Sequence, residues 1–289
     1  MKRLLALLGL ICILLCGCAP ASEPAQVAAT TMPVYEFTSR LCQGTGITVS
    51  QLVTESVSCL HDYALNVRQV KAAEQAELIV ISGAGLESFM DDLLVGKTVA
   101  DASQGIALLE SCHEHDHEEG GHHHEEDPHI WLSPENAMVM ARNIYSSLCT
   151  EYPQYQEIFE KNLIALLKDI QALQDYAREQ LGSLSSRKII TFHDGFTYLA
   201  EAFDLTIVHA IEEEAGAEAS AKELIEIIGM VREHELTAIF TEVGGSGSAA
   251  SIIAAETGAK VYTLDMAMSG DSWLESMYQK IDTLKEALE

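Results

Sequence analysis

The chain has 289 residues, 48% of them apolar, and carries a formal charge of -27 from 17 basic and 44 acidic residues. That length suits one large or two modest domains with real cores. So acidic a surface repels phosphates, which excludes nucleic acid as a partner, and it tolerates cations.

Lys2 and Arg3 form a positive start, and Leu4 to Leu15 is an apolar run. The run is too short and too close to the terminus for a mature membrane span. It ends in Leu15-Cys16-Gly17-Cys18, which resembles the bacterial lipoprotein signal. That resemblance implies cleavage after residue 17, lipidation of Cys18 and a place on the extracytoplasmic face of the cell membrane. Acyl chains anchor by burying their CH₂ groups. Residues 18–30 are then expected to be a flexible tether. Export exposes the remaining cysteines, Cys42, Cys59, Cys112 and Cys149, to oxidising conditions. Their pairing is not selected by sequence. A Cys42–Cys59 bridge is favoured because its short loop would brace the segment holding His61. No CxxC pair is present, so a cysteine-based zinc site is not indicated.

Thr31 to Leu41 reads as a strand and then a helix, and Thr48 to Val53 alternates like a strand. Arg68 to Glu77 is helical in pattern. Leu78 to Ser82 is a short apolar run suited to a strand buried on both faces, and Lys97 to Ala100 is a further short strand. The βαβα rhythm predicts a parallel sheet covered by helices, the first lobe at residues 31–150. Ser133 and Pro134 supply an N-cap and a first-turn proline for a helix to about Cys149. From Pro153 a helical pattern runs to Leu181 without proline or glycine, with Gly182 to cap it. At the α-helical rise it would be about 43 Å long. A connecting helix at 151–182 would join two lobes. The second lobe, 183–289, repeats the rhythm. Its strands are expected at Lys188–Phe192, Thr206–Ala210, Ala238–Thr241 and Lys260–Leu264. Its helices are expected at Ala221–Glu235, Ala249–Thr257 and Ser272–Leu288.

Six of the 11 histidines fall in the acidic run 112–127: His113, His115, His117, His122, His123 and His124. The run has almost nothing apolar to pack, so it is expected to be disordered. Neutral imidazole binds zinc and copper well, so weak, exchanging accessory metal sites are expected there. Among the other five, His129 sits where a polar loop meets the apolar Ile130-Trp131-Leu132, with Pro128 restraining the backbone. His193 ends a predicted strand, where ligands bind in open α/β sheets. His61 follows a strand and a short polar loop. His209 and His234 read as structural or surface groups.

His61-Asp62-Tyr63, Asp127-Pro128-His129-Ile130-Trp131-Leu132-Ser133-Pro134, Phe192-His193-Asp194-Gly195-Phe196-Thr197-Tyr198, Phe240-Thr241-Glu242 and Thr263-Leu264-Asp265 together resemble the ABC-type solute-binding proteins for zinc and manganese, the ZnuA/TroA type. The resemblance runs from about Thr31 to Glu289, and the histidine run before Asp127 is similar to that of the zinc subgroup. It implies two parallel-sheet α/β lobes joined by one long helix, with the ion in the cleft between them. It also implies ligands at His61, His129 and His193, with Asp265 as the fourth. The implied cargo is Zn²⁺, because three imidazoles suit zinc better than the harder manganese. The implied partners are an ABC permease and its cytoplasmic ATPase, served by a lipid-anchored monomer. Glu242 is followed by Val243-Gly244-Gly245, a departure from the family pattern, so it is left out of the ligand set. Two other readings are a lipid-anchored zinc buffer or adhesin without transport, and a zinc hydrolase. HExxH, GxSxG and the P-loop are all absent, and the chain reads as a binding protein rather than an enzyme.

Overall fold

Leu78–Ile81 is apolar at every position, and it forms a central strand of the first of two sheets. The computed structural model describes residues 25–55, 60, 63–110, 126–212, 220–243, 247–268 and 270–289. The first sheet has the order β2-β1-β3-β4, with β1 Val27–Ala29, β2 Val49–Gln51, β3 Leu78–Ile81 and β4 Val99–Asp101, all parallel. Helices α1 Met32–Leu41, α2 Val67–Gln75 and α3 Asp91–Leu94 connect them. Asn66 opens α2 with a reciprocal capping box to Gln69.

β1 lies inside the span expected to be tether. Its three residues are fully buried between β2 and β3. Three small apolar residues carry no periodic signal, so pairing rather than pattern defines this strand. The strand expected from Thr31 is absent. Thr31 is the residue before α1, which starts at Met32 with Pro33 in its first turn.

α4 Pro134–Glu151 begins where Ser133 Oγ accepts from the Asn136 N–H. The long helix is shorter than its sequence pattern. Pro153–Tyr155 forms a 3₁₀ turn, and α5 covers Gln156–Leu181, 26 residues and about 39 Å. α5 packs against α1, α4 and the closing helix α9 Trp273–Leu288. Asn162 Nδ2 donates to the Leu41 and Gln43 carbonyls at the end of α1, and Arg40 pairs with Asp169.

The second sheet has the order β6-β5-β7-β8, again all parallel, with β5 Lys188–His193, β6 Thr206–Glu212, β7 Ala238–Glu242 and β8 Lys260–Leu264. Its helices are α6 Thr197–Ala202, α7 Ala221–Glu233 and α8 Gly247–Thr257. The largest core does not stop between the lobes. It runs from Val27 and Val80 through Trp131, Phe159 and Leu166 to Phe240, Trp273 and Leu284. Among the described residues no helix is long and apolar enough to cross a membrane.

Candidate metal centre

His129 is set by the residues on both sides of it. Ile130, Trp131 and Leu132 form a 3₁₀ turn that is wholly buried and anchors the loop. On the other side Asp127, itself fully buried, accepts two hydrogen bonds on one oxygen. His129 N–H donates to Oδ1 at 2.8 Å, and His129 Nδ1 lies 2.8 Å from the same atom. Burial alone would raise the Asp127 carboxyl. The attraction and hydrogen bonds of the adjacent His129 outweigh that and hold it below the usual carboxylate range. A carboxylate at Nδ1 requires the proton to sit there, which turns the Nε2 lone pair outward. His129 Nε2 is buried and has no hydrogen-bond partner among the described residues. A bare, correctly oriented imidazole nitrogen backed by a carboxylate is how proteins present histidine to a metal.

His193 is the last residue of β5, an inner strand of the second sheet, at its carboxyl end. It is buried, and its ring stands edge-to-face with that of His129, centroids 5.3 Å apart. The fold thus brings together two histidines from different lobes. Gly195 makes the approach possible. A Cβ there would lie 2.8 Å from both Cε1 and Nδ1 of His129 and 2.7 Å from Met266 Cε.

The pairing of Thr191 with Phe240 puts Glu242 in step with His193 at the carboxyl ends of adjacent inner strands. Glu242 is buried. It is a functional candidate that sequence reasoning set aside; its signal was its place at a strand end in step with His193.

Asp265 follows β8, and its oxygens are engaged elsewhere. Oδ1 accepts from the Ala267 N–H, and Oδ2 accepts from Ser276 Oγ at 2.6 Å and lies 3.5 Å from Lys280 Nζ. Ser276 and Lys280 are buried residues of α9. Burial pushes the Lys280 ammonium down to about 8, against the pull of Asp265. Among the described residues no three His, Cys, Asp or Glu side chains converge to hold an ion. His61 lies outside the described residues, in sequence between the buried Leu60 and the half-buried Tyr63.

Cys18, Cys59, Cys112 and the histidines at 113, 115, 117, 122, 123 and 124 also lie outside the described residues. Cys42 is buried and forms no disulfide among the described residues, and burial pushes its thiol up to about 12. The roots of the histidine run are described. Glu110 and Glu126 form an antiparallel bridge, and the Asp127 N–H donates to the Leu109 carbonyl at 2.8 Å. The run therefore leaves and returns next to the residue that orients His129.

A family model for zinc-uptake complex component A, periplasmic (ZnuA), matches residues 27–287. The zinc-binding lipoprotein AdcA of Streptococcus pneumoniae serotype 4 is 30% identical over 99% of this chain and 61% of its own length. The chain therefore spans about three fifths of that relative. The high-affinity zinc uptake system protein ZnuA of Bacillus subtilis is 30% identical over 91% of this chain and 87% of its own. A crystal structure of ZnuA superposes with a TM-score of 0.79 at 30% identity, covering 92% of this chain and all of that one.

Proposed function

The chain belongs to the ZnuA family of zinc-uptake components, and on that premise we propose that it is the extracytoplasmic binding protein of a zinc ABC importer. It captures Zn²⁺ and delivers it to a membrane permease driven by a cytoplasmic ATPase. The observation that carries this reading is the buried His129–His193 pair, one imidazole from each lobe, with His129 Nε2 bare and Nδ1 fixed by Asp127. An ion between the lobes would draw on His129, His193 and His61, with Asp265 as fourth ligand. The cargo supplies the positive charge. The chain supplies neutral imidazoles, a carboxylate that fixes one tautomer and a buried setting that sheds the ion's water.

The histidine run, rooted at Asp127, raises the local zinc concentration beside the site. Cys18 carries the lipid anchor, in keeping with the lipoprotein name of the pneumococcal relative. The mature protein acts as a monomer that binds and releases an ion and turns over no substrate.

The deciding experiment is zinc titration calorimetry on the chain lacking residues 113–124, beside the same protein with His193→Ala. One tight ion per chain, lost on substitution, supports the cleft site. Tight binding that vanishes with residues 113–124, or that ignores His193→Ala, would leave a surface zinc buffer instead. Growth of a deletion strain in zinc-poor medium separates transport from storage.

A further inference from the structure

Lys280 is a buried cation with few partners. It is 2% exposed on α9, and its Nζ donates to Ser276 Oγ at 2.6 Å. Ser276 Oγ is in turn 2.6 Å from Asp265 Oδ2, which lies 3.5 Å from Nζ. The three groups form one chain from ammonium through hydroxyl to carboxylate. Among the described residues, Asp265 is the acidic side chain that pairs with Lys280. A buried ammonium without a counter-charge is strongly unfavourable, so this carboxylate is held in place from below.

The same carboxylate is the fourth ligand in the reading given above, and this inference rests on that reading. Asp265 is about one third exposed at its side chain, so it has an open side as well as the side facing α9. A divalent ion on the open side would compete with Lys280 for a single negative charge. We infer that Lys280 is a built-in rival of the metal: it keeps a claim on Asp265, weakens the fourth ligand and speeds release of zinc. In a delivery protein such a device favours hand-over, because the carboxylate has a second cation to return to when the ion leaves. A structural lysine that merely posed Asp265 for the metal would have the opposite effect when removed.

The test uses the full chain and a chromophoric chelator to read both affinity and dissociation rate for zinc. Lys280→Met removes the charge while keeping an unbranched chain of similar length. It is expected to tighten zinc binding on the order of tenfold and slow dissociation to match, an outer-shell effect of ordinary size. Lys280→Arg, which keeps the charge, is expected to retain the parent affinity. Asp265→Asn is expected to cost more affinity in the Lys280→Met background than in the parent, because the carboxylate is then undivided. Weaker or unchanged binding in a folded Lys280→Met protein overturns the inference. If that variant fails to fold, Lys280→Gln decides in the same way. His193→Ala runs alongside: if it leaves zinc binding intact, the site itself is misplaced, whatever Lys280 does.

Discussion

Gly195→Ala tests the contact between the lobes at its closest point. The added Cβ would sit 2.8 Å from two ring atoms of His129 and 2.7 Å from Met266 Cε. Ordinary contact begins at 3.4 Å, so the ring must retreat by about 0.6 Å or Cβ must be carried back as far. Met266 Cε ends a flexible chain and can turn aside. His129 cannot, because Nδ1 is tied to Asp127 and its edge lies against Trp131, centroids 5.3 Å apart. Gly195 is not among the glycines with positive φ, so its backbone accepts alanine and the effect is steric alone. Metal–ligand distances tolerate about 0.2 Å, well under the displacement required. Zinc affinity is expected to fall about 10- to 100-fold, with an overpacking cost of about 1–3 kcal/mol in stability. Chelator competition measures the first and urea denaturation without metal the second. Binding within twofold of the parent, with stability unchanged, would refute the claim that Gly195 is there to admit the His129 ring.

Asp127→Asn removes the charge behind His129 and is expected to weaken zinc binding about 10- to 100-fold with the fold intact, read by calorimetry. Trp131→Phe deletes the indole N–H that donates to the Met266 carbonyl at 2.7 Å. Leaving that buried acceptor unpaired should lower stability by about 1–3 kcal/mol in denaturant titration. Glu87 gives a pH signature. Burial raises its carboxyl from 4.5 to about 7, against hydrogen bonds from Thr30, Ser82 and Gly83. The folded protein therefore holds this proton more tightly than the unfolded chain does. The stability it contributes is complete below pH 4.5 and lost as pH rises through about 7, a change of about 3 kcal/mol. The stability gap between the parent and Glu87→Gln should fall by that amount over this range; a gap independent of pH would count against it.

Local chemistry told most of the second lobe in advance. Lys260–Leu264 forms a strand with the ends expected, and Ser272 caps the closing helix by accepting from the Glu275 N–H. The strand-end position of His193 was legible for the same reason, since apolar runs between helices announce parallel strands. What stayed hidden was set by contacts far apart in sequence. Val27–Ala29 is a strand only because β2 and β3 flank it. Gly195 matters only because His129 comes to meet it. Lys280 falls on the apolar face of the closing helix, between Met277 and Leu284, and it is buried with Ser276 one turn away, under Asp265. Helical periodicity turns this lysine inward but does not tell that its counter-charge arrives from another element.

On the function proposed above, the shared core limits how the protein could let an ion go. Trp131 precedes the long helix, and its indole bonds to the Met266 carbonyl beyond it. Trp273 opens α9, bonds back to the Trp131 carbonyl at 3.0 Å and stands edge-to-face with Phe37 of α1. Both indoles are fully buried. Each buries on the order of 200 Å², so exposing the pair by swinging the lobes apart would cost about 10 kcal/mol. That is comparable with the whole stability of a typical domain, about 5–15 kcal/mol. Opening at this seam is therefore no route for cargo exchange, and α5 packed on α1, α4 and α9 stiffens the same seam from behind. Release must come from rearrangement close to the ion, with the tryptophan seam closed. Asp265 suits such a step. It is part-exposed, it follows a strand end, and it has a cation on its buried side, so as the proposed fourth ligand it could loosen its hold on an ion without either lobe moving.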